Sequence, residues 1–269
     1  MNGVTAGRGL YGVVDGLWHA PLRFLAALGE VLVLLGKSIA WSFRRPFRFG
    51  QLLQAMEFIG WGSITIIILI SVFIGGVFGL QSVEAFRKFQ ADGFVGTAVS
   101  LTLTREIAPV LTALMVTGRA GSAMATEIGS MRITEQIDAL TALAVNPIQY
   151  LVVPRLIAST LMVPMLTMIF NVTGMGGAYL FAVVIKRVDP GVFLYNVRWY
   201  TDVDDLLSGL IKAGVFGLAL ALIGCHQGYN AQGGAKGVGI ATMRAVVISY
   251  VTILVLDFVL TDILITLGL

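Results

Sequence analysis

The chain has 269 residues, of which 57% are hydrophobic and only 12% are charged. Soluble domains carry about 25% charged residues, so this composition indicates an integral membrane protein. The net charge of +3 is too small to indicate a nucleic-acid partner, and the single cysteine and two histidines form no cluster with metal-ligand spacing.

The first fifty residues form a segment of their own, in which charges recur every seven or eight positions, or two α-helical turns. The charged residues are Arg8, Asp15, Arg23, Glu30, Lys37 and Arg44. Apolar residues lie between them, and Trp18 and Trp41 flank the part that follows Pro21. An apolar body with a charged edge is typical of a helix in the membrane interface. A sixth spanning helix over 24–43 is the alternative.

Five later segments are long and apolar enough to cross a hydrocarbon core, which takes about 20 helical residues. They are 58–83, 93–118, 156–185, 206–228 and 245–267. We therefore predict an all-α membrane protein with an amphipathic interfacial helix region over 1–50 and a transmembrane domain over 51–269.

Basic residues indicate the orientation of these segments. Arg44, Arg45 and Arg48 lie just ahead of the first span, and three more basic residues precede them. The positive-inside rule then places the N-terminus in the cytoplasm. With five spans, the segment between the second and third spans is cytoplasmic as well.

Charged residues lie inside three of the spans. Arg105 and Glu106 fall at the middle of the second, Lys212 near one end of the fourth, and Asp257 deep in the fifth. A charge at mid-span costs about 2.5–3.5 kcal/mol on insertion scales, so such side chains should face protein or a water-filled cavity. Neighbours on a helix point about 100° apart, so Arg105 and Glu106 should each find a separate partner. They either hold helices together or line a substrate path.

Small residues cluster in the first and third spans. Gly75 and Gly79 form a G-x-x-x-G pattern, and Gly174 to Gly177 add a second patch. Such patterns permit close helix contact, either within one chain or between two.

A short charged stretch, GRAGSAMATEIGSMRITEQIDAL, covers residues 118–140 between the second and third spans. At 100° per residue its apolar side changes over between Met131 and Ile133, so a bend near Gly129 and Ser130 is expected. The result would be a short broken helix, which serves either as an ordinary connector or as a docking surface for a soluble partner.

Nucleotide hydrolysis is not expected of this chain. Gly36-Lys37-Ser38 resembles the end of a phosphate-binding loop, but that motif requires a glycine where Val31 stands. No other stretch supplies the pattern.

Several ordered motifs resemble the MlaE (YrbE) permeases from about residue 50 to 267. They are Thr104-Arg105-Glu106-Ile107-Ala108-Pro109-Val110, Gly118-Arg119-Ala120-Gly121-Ser122-Ala123, Glu127-Ile128-Gly129-Ser130-Met131-Arg132, Thr134-Glu135-Gln136-Ile137, Asn146-Pro147 and Leu256-Asp257-Phe258-Val259-Leu260-Thr261.

The resemblance implies a permease subunit of an ABC transporter that moves phospholipid between the inner and outer membranes of a diderm bacterium, although some relatives handle other lipids, including sterols. It implies a homodimer in the inner membrane, a separate cytoplasmic ATPase, an MCE-domain substrate-binding protein on the external face and a STAS-type accessory subunit. No cofactor is expected in this chain, because ATP would bind to the ATPase.

The same resemblance assigns residues to roles. The coupling helix of the family falls on Glu127–Leu140, which makes Glu127, Arg132, Glu135 and Asp138 the ATPase-coupling candidates. The substrate path falls on Arg105, Glu106 and Asp257, and the match extends to Arg119 and Arg244.

Two other functions remain open at this point. Glu106 and Asp257 could be the ion or proton sites of a secondary transporter, although no inverted repeat is visible. A membrane-embedded lipid enzyme is the third reading, but no histidine lies near the carboxylates of the spans to serve as a general acid or base.

Overall fold

The computed structural model describes residue 26, residues 28–42 and residues 49–268. Most of the predicted interfacial region, including Trp18 and Pro21, lies outside these residues. The described part of it is a helix, α1, over 28–42. Ser38 of α1 is 2% exposed, and Glu30 Oε2 lies 3.2 Å from His226 Nε2. Lys37 therefore lies inside a helix and not in a phosphate-binding loop.

The described residues are almost entirely helical and contain no strand. The helices that follow α1 are α2 (Phe49–Ile59), α3 (Trp61–Arg87), α4 (Val95–Thr102), α5 (Ala108–Val116), α6 (Ser122–Ile133), α7 (Gln136–Ala142), α8 (Val153–Tyr179), α9 (Pro190–Tyr200), α10 (Val203–Tyr229) and α11 (Gly234–Leu267). Four π-helical segments, each wider than an α-helical turn, join or extend them: Leu103–Ile107, Thr117–Gly121, Ile148–Val152 and Leu180–Ile185.

Five continuous helical runs within the described residues are long and apolar enough to cross a membrane. We number them spans one to five: Phe49–Arg87, Asp92–Ile133, Ile148–Ile185, Val203–Tyr229 and Gly234–Leu267. The predicted all-α fold with five transmembrane helices is thus confirmed. Whether the first fifty residues lie in the interface stays a prediction.

The helix boundaries depart from the prediction where local chemistry extends a helix. Span four begins early because Asp202 and Asp205 form a capping box, in which the Asp202 amide donates to Asp205 Oδ2 at 2.9 Å. Span five begins at Gly234 and not near residue 245. Gly233 and Gly234 have φ of 86° and 68°, a conformation that favours glycine, and they reverse the chain directly after span four.

The predicted bend at Gly129 and Ser130 is wrong. Span two continues without a break through α6 to Ile133, and the helix is interrupted at Glu135, whose φ is 57°. Gly129 instead lies where α6 packs closely on the chain around Ala231 and Val238, since a Cβ there would lie 3.3 Å from either side chain. The short helix between spans two and three is therefore α7 alone.

The core forms around α10. Of the residues in the most apolar 18-residue stretch of α10, 56% are buried, whereas the corresponding fraction for α11 is 11%. Phe216 and Leu220 of α10 are fully buried, together with Phe170 of α8 and Val116 of α5. Span five thus packs on the bundle with one face and leaves the other apolar face uncovered in the single chain.

Helix α9, which the sequence did not predict, lies at the end of the bundle opposite to α7. It begins at Asp189, whose side chain accepts from the Val192 amide at 2.8 Å, and continues with Pro190 in the first turn. Phe193 anchors it in the core and contacts the Tyr179 ring edge-on at 5.8 Å between centroids.

The two small-residue patches meet each other inside one chain. A Cβ on Gly75 would lie 1.9 Å from the carbonyl oxygen of Gly174, and a Cβ on Gly177 would lie 2.3 Å from that of Val72. Spans one and three therefore pack backbone to backbone along this line. Of the two readings left open by the sequence, packing within the chain is the one these glycines serve.

Replacing Gly75 by alanine should destabilise the protein by about 1–3 kcal/mol, because the new methyl group meets backbone that cannot move aside without separating two spans. Gly176→Ala is the matched control, since a Cβ there meets nothing within 4 Å. Thermal unfolding in detergent should show a lower midpoint for Gly75→Ala only. Equal midpoints would mean that the contact between the spans is looser than described.

Candidate functional site

A buried lysine gathers the intramembrane charges of three spans. Lys212 of α10 is 2% exposed, and its Nζ donates to Glu106 Oε2 at 2.7 Å and to Thr261 Oγ1 at 2.7 Å. The same Nζ lies 3.3 Å from Asp257 Oδ1. We call Lys212, Glu106, Asp257 and Thr261 the Lys212 cluster. It ties span two, span four and span five together at one point.

Arg105 has a separate partner. Its Nε donates to Asp205 Oδ1 at 2.5 Å, and the Asp205 side chain is 9% exposed. Two adjacent residues of span two thus pair with two different residues of span four, as their 100° separation on the helix predicts. The Nη groups of Arg105 have no partner within the described part of the chain.

The local backbone explains how both side chains reach span four. Arg105 and Glu106 lie in the π-helical segment Leu103–Ile107, between α4 and α5. Such wide turns occur often at functional sites and disturb the regular ladder of helical hydrogen bonds. Here the Arg105 carbonyl accepts a hydrogen bond from Lys212 Nζ at 3.3 Å. Gly209 of α10 allows the close approach, because a Cβ there would lie 2.3 Å from the Thr104 carbonyl oxygen.

A cavity of about 430 Å³, which we call the Arg105 cavity, lies beside the cluster and opens toward the α9 end of the bundle. Arg105 and Glu106 line it together with Leu101, Thr102, Tyr200, Asp202 and Asp205. It combines one guanidinium with three carboxylates. Such a lining can bind a polar headgroup by charge-assisted hydrogen bonds, whereas the bundle around it is apolar.

The residues predicted for the substrate path therefore lie together: Arg105 and Glu106 line the cavity, and Asp257 joins through Lys212. The sequence did not indicate Lys212 or Asp205 as their partners. Lys212 could have been predicted as a partner, because it is the one cation in the largely apolar segment 206–228 and a charge there needs a counter-charge. Asp205 had no such signal, since three aspartates begin that helix and any of them could be solvated.

The coupling candidates lie at the opposite end, on α6, α7 and the turn between them. Arg132 Nη1 pairs with Asp138 Oδ1 at 2.8 Å across the turn, while its guanidinium carbon lies 5.9 Å from the Tyr229 ring centroid. Glu135 is exposed at the apex of the turn. Ile137, 1% exposed, anchors α7 to the core. The turn therefore exposes charged side chains at the surface, while Ile137 holds α7 against the core.

Glu127 is separate from these residues. Its Oε1 lies 2.8 Å from Arg155 Nη2, so it joins span two to the start of span three. Both residues line a cavity of about 440 Å³ between α2, α6 and α8. Of the four predicted coupling residues, three lie around the α6–α7 turn and the fourth lies two helical turns before it.

Comparison with known proteins identifies the family. Residues 52–263 match the family described as Permease MlaE. The chain belongs to the MlaE permease family. The permease is 36% identical over 255 residues to the intermembrane phospholipid transport system permease protein MlaE of Haemophilus influenzae, covering 93% of this chain and 97% of the relative.

Two further relatives carry the name of probable ABC transporter permease proteins. One, from Rickettsia bellii, is 38% identical over 253 residues, or 94% of the permease and 98% of the relative. The other, from Synechocystis, is 44% identical over 209 residues, or 78% of the permease and 80% of the relative. The chain is thus an ABC transporter permease and a multi-pass membrane protein.

Removing the cation of the Lys212 cluster should destabilise the permease strongly. In Lys212→Met the carboxylates of Glu106 and Asp257 remain within the spans without a counter-charge. We expect a loss of about 3 kcal/mol, the lower end for a broken buried pair, because Glu106 is 38% exposed. Unfolding of the purified permease, followed by its thermal midpoint, measures this loss.

The triple variant Lys212→Met, Glu106→Gln, Asp257→Asn is the control for charge. It should recover most of the lost stability, since it leaves no unpaired charge in the spans. If Lys212→Met alone is as stable as the wild type, the ion pairs do not hold the three spans together.

Proposed function

We propose that the permease is the membrane subunit through which an ABC transporter moves phospholipid between the inner and outer membranes, energised by a separate ATPase. The observation that carries the proposal is the Lys212 cluster beside the Arg105 cavity: paired charges within the spans next to a space large enough for a headgroup. The name of the Haemophilus influenzae relative, an intermembrane phospholipid transport system permease protein, supports the same substrate class.

The site residues have distinct roles in this proposal. Arg105 binds the lipid phosphate through its Nη groups, while Asp205 holds its Nε and fixes the plane of the guanidinium. Lys212 holds Glu106 at the wall of the cavity and Asp257 behind it. Both carboxylates are held by Lys212, whose single positive charge offsets one of their two negative charges.

Membership of the family supports the following partners. The permease forms a homodimer in the bacterial inner membrane, with its N-terminus and α7 in the cytoplasm. A cytoplasmic ABC ATPase, an MCE-domain protein on the external face and a STAS-type accessory subunit complete the transporter. The permease binds no cofactor, and ATP binds to the ATPase.

Force from the ATPase enters at the α6–α7 turn. Glu135, Asp138 and Arg132 lie there, and α6 continues directly into span two, which carries Arg105 and Glu106. Glu127 transmits the same displacement to span three through Arg155. The charged α6–α7 turn between spans two and three is thus the surface that contacts the ATPase.

Reconstitution with the ATPase tests the function. Vesicles that contain the permease and its ATPase should transfer labelled phospholipid to the MCE-domain protein only when ATP is hydrolysed. Flux driven by a pH gradient across vesicles that contain the permease alone would instead establish a secondary transporter. A chemically altered lipid in the product would establish an enzyme.

Charge reversal at the turn should uncouple hydrolysis from transfer. Glu135→Lys places a like or unmatched charge at the proposed contact, and such contacts cost several kcal/mol, so we expect lipid transfer to fall by about tenfold or more. The permease should remain as stable as the wild type, because Glu135 is exposed. Transfer and ATP hydrolysis are measured side by side in the reconstituted complex.

Asp262→Lys is the matched control, since Asp262 is exposed near the C-terminal end of span five, far from the α6–α7 turn. It should leave the ratio of lipid moved to ATP hydrolysed unchanged. Normal transfer by Glu135→Lys would show that the ATPase does not dock at this turn.

A further inference from the structure

Arg119 of span two lies far from the substrate path. It is 13 residues beyond Glu106, about 20 Å along the helix axis. It lies in the second π-helical segment of the span, Thr117–Gly121, and its side chain reaches the junction between α2 and α3. We call this junction, residues 58–63, the elbow. Arg119 therefore has a task other than contact with lipid in the Arg105 cavity.

One guanidinium holds both sides of the elbow. Arg119 Nη1 donates to the Phe58 carbonyl at 2.8 Å and lies 3.1 Å from Ser63 Oγ, to which it also donates. Its guanidinium carbon lies 5.1 Å from the Phe58 ring centroid. Phe58 is in the last turn of α2 and Ser63 is in the first turn of α3, so the bonds span the break at Gly60.

The Phe58 carbonyl is a natural site for a cation. The last carbonyls of an α-helix lack partners within the helix, and the C-terminal end carries partial negative charge. A guanidinium at that position satisfies the acceptor and the local field together. Arg119 thus caps α2 from a different helix.

Gly62 provides the space for this contact. A Cβ on Gly62 would lie 2.1 Å from Nη2 of Arg119 and 2.5 Å from its guanidinium carbon. Any side chain there would displace the guanidinium from the elbow. The arrangement needs arginine at 119 and glycine at 62 at the same time.

The rest of α2 packs mainly on helices other than span two. The helix packs on α3 and α8, and the cavity of about 440 Å³ separates it from Glu127 and Met131 of α6. Phe49 and Leu53 on its outer face are 68% and 64% exposed. Arg119 thus joins α2 to span two by a hydrogen bond.

We infer that Arg119 is a positioning residue that fixes the elbow to span two, so that α2 moves together with the coupling end when α6 is displaced. This inference rests on the proposed function, because it assigns Arg119 a part in the coupled movement. It names an element, α2, that transmits the movement in addition to the spans.

The test uses Arg119→Met, Arg119→Lys, Gly62→Ala and the double variant Gly62→Ala, Arg119→Met. Gly50→Ala is the matched control, since it lies in α2 and its Cβ meets nothing within 4 Å. The first measurement is hydrogen exchange of the α2 backbone amides in the permease alone. Exchange should rise about tenfold or more in Arg119→Met and Gly62→Ala, the change expected when a hydrogen bond to a charged group is lost.

Arg119→Lys should lie between these variants and the wild type, because an ammonium can reach one acceptor but not hold two with a planar fork. The double variant should match the single ones, since both changes remove the same contact. Additive effects, or unchanged exchange in Gly62→Ala, would overturn the inference.

The second measurement is the lipid moved per ATP hydrolysed in the complex with the ATPase. It should fall in Arg119→Met and Gly62→Ala and stay at the wild-type value in Gly50→Ala. A looser α2 with an unchanged ratio would reduce Arg119 to a purely structural role and overturn the inference. If wild-type permease moves no lipid at all, the proposed function fails, while the exchange result still decides whether Arg119 holds the elbow.

Discussion

The ammonium group of Lys212 is the constraint on which the arrangement of the spans depends. A lone cation in the interior of a helix bundle within lipid is costly, and two carboxylates near each other without a cation are costly as well. Placing the cation between carboxylates of two other helices gives the cation two partners and offsets one of the two negative charges. The positions of spans two, four and five relative to one another are consequently fixed by chemistry more specific than the packing of apolar side chains.

Much of the fold follows from hydropathy alone. Five long apolar segments predict five spans, and the charges inside them indicate where the candidate site lies. The sequence could not show which charges pair, because pairing depends on the rotation of each helix about its axis. Lys212 looks like a residue near a helix end until the capping box at Asp202 extends span four by three residues and moves it inward.

Helical periodicity misleads in span two for a physical reason. Each π-helical segment adds a residue to a turn, so a wheel drawn at 100° per residue loses its phase there. The change of apolar side from α6 to α7 has a different origin, a left-handed residue at Glu135 between the two helices. A non-glycine residue in that conformation has no reliable sequence signal, so the pattern suggested a bend at the nearest glycine instead.

The unbroken course of span two, from Asp92 to Ile133, has a mechanical consequence. From Glu106 to the last residue of α6 the helix runs about 40 Å with no intervening loop. A rotation imposed at one end of this helix is transmitted to the other end, except for the part that the wide turn at Thr117–Gly121 absorbs. In the proposed transporter, the stiffness of that turn would set how much of a displacement at α6 reaches the Arg105 cavity.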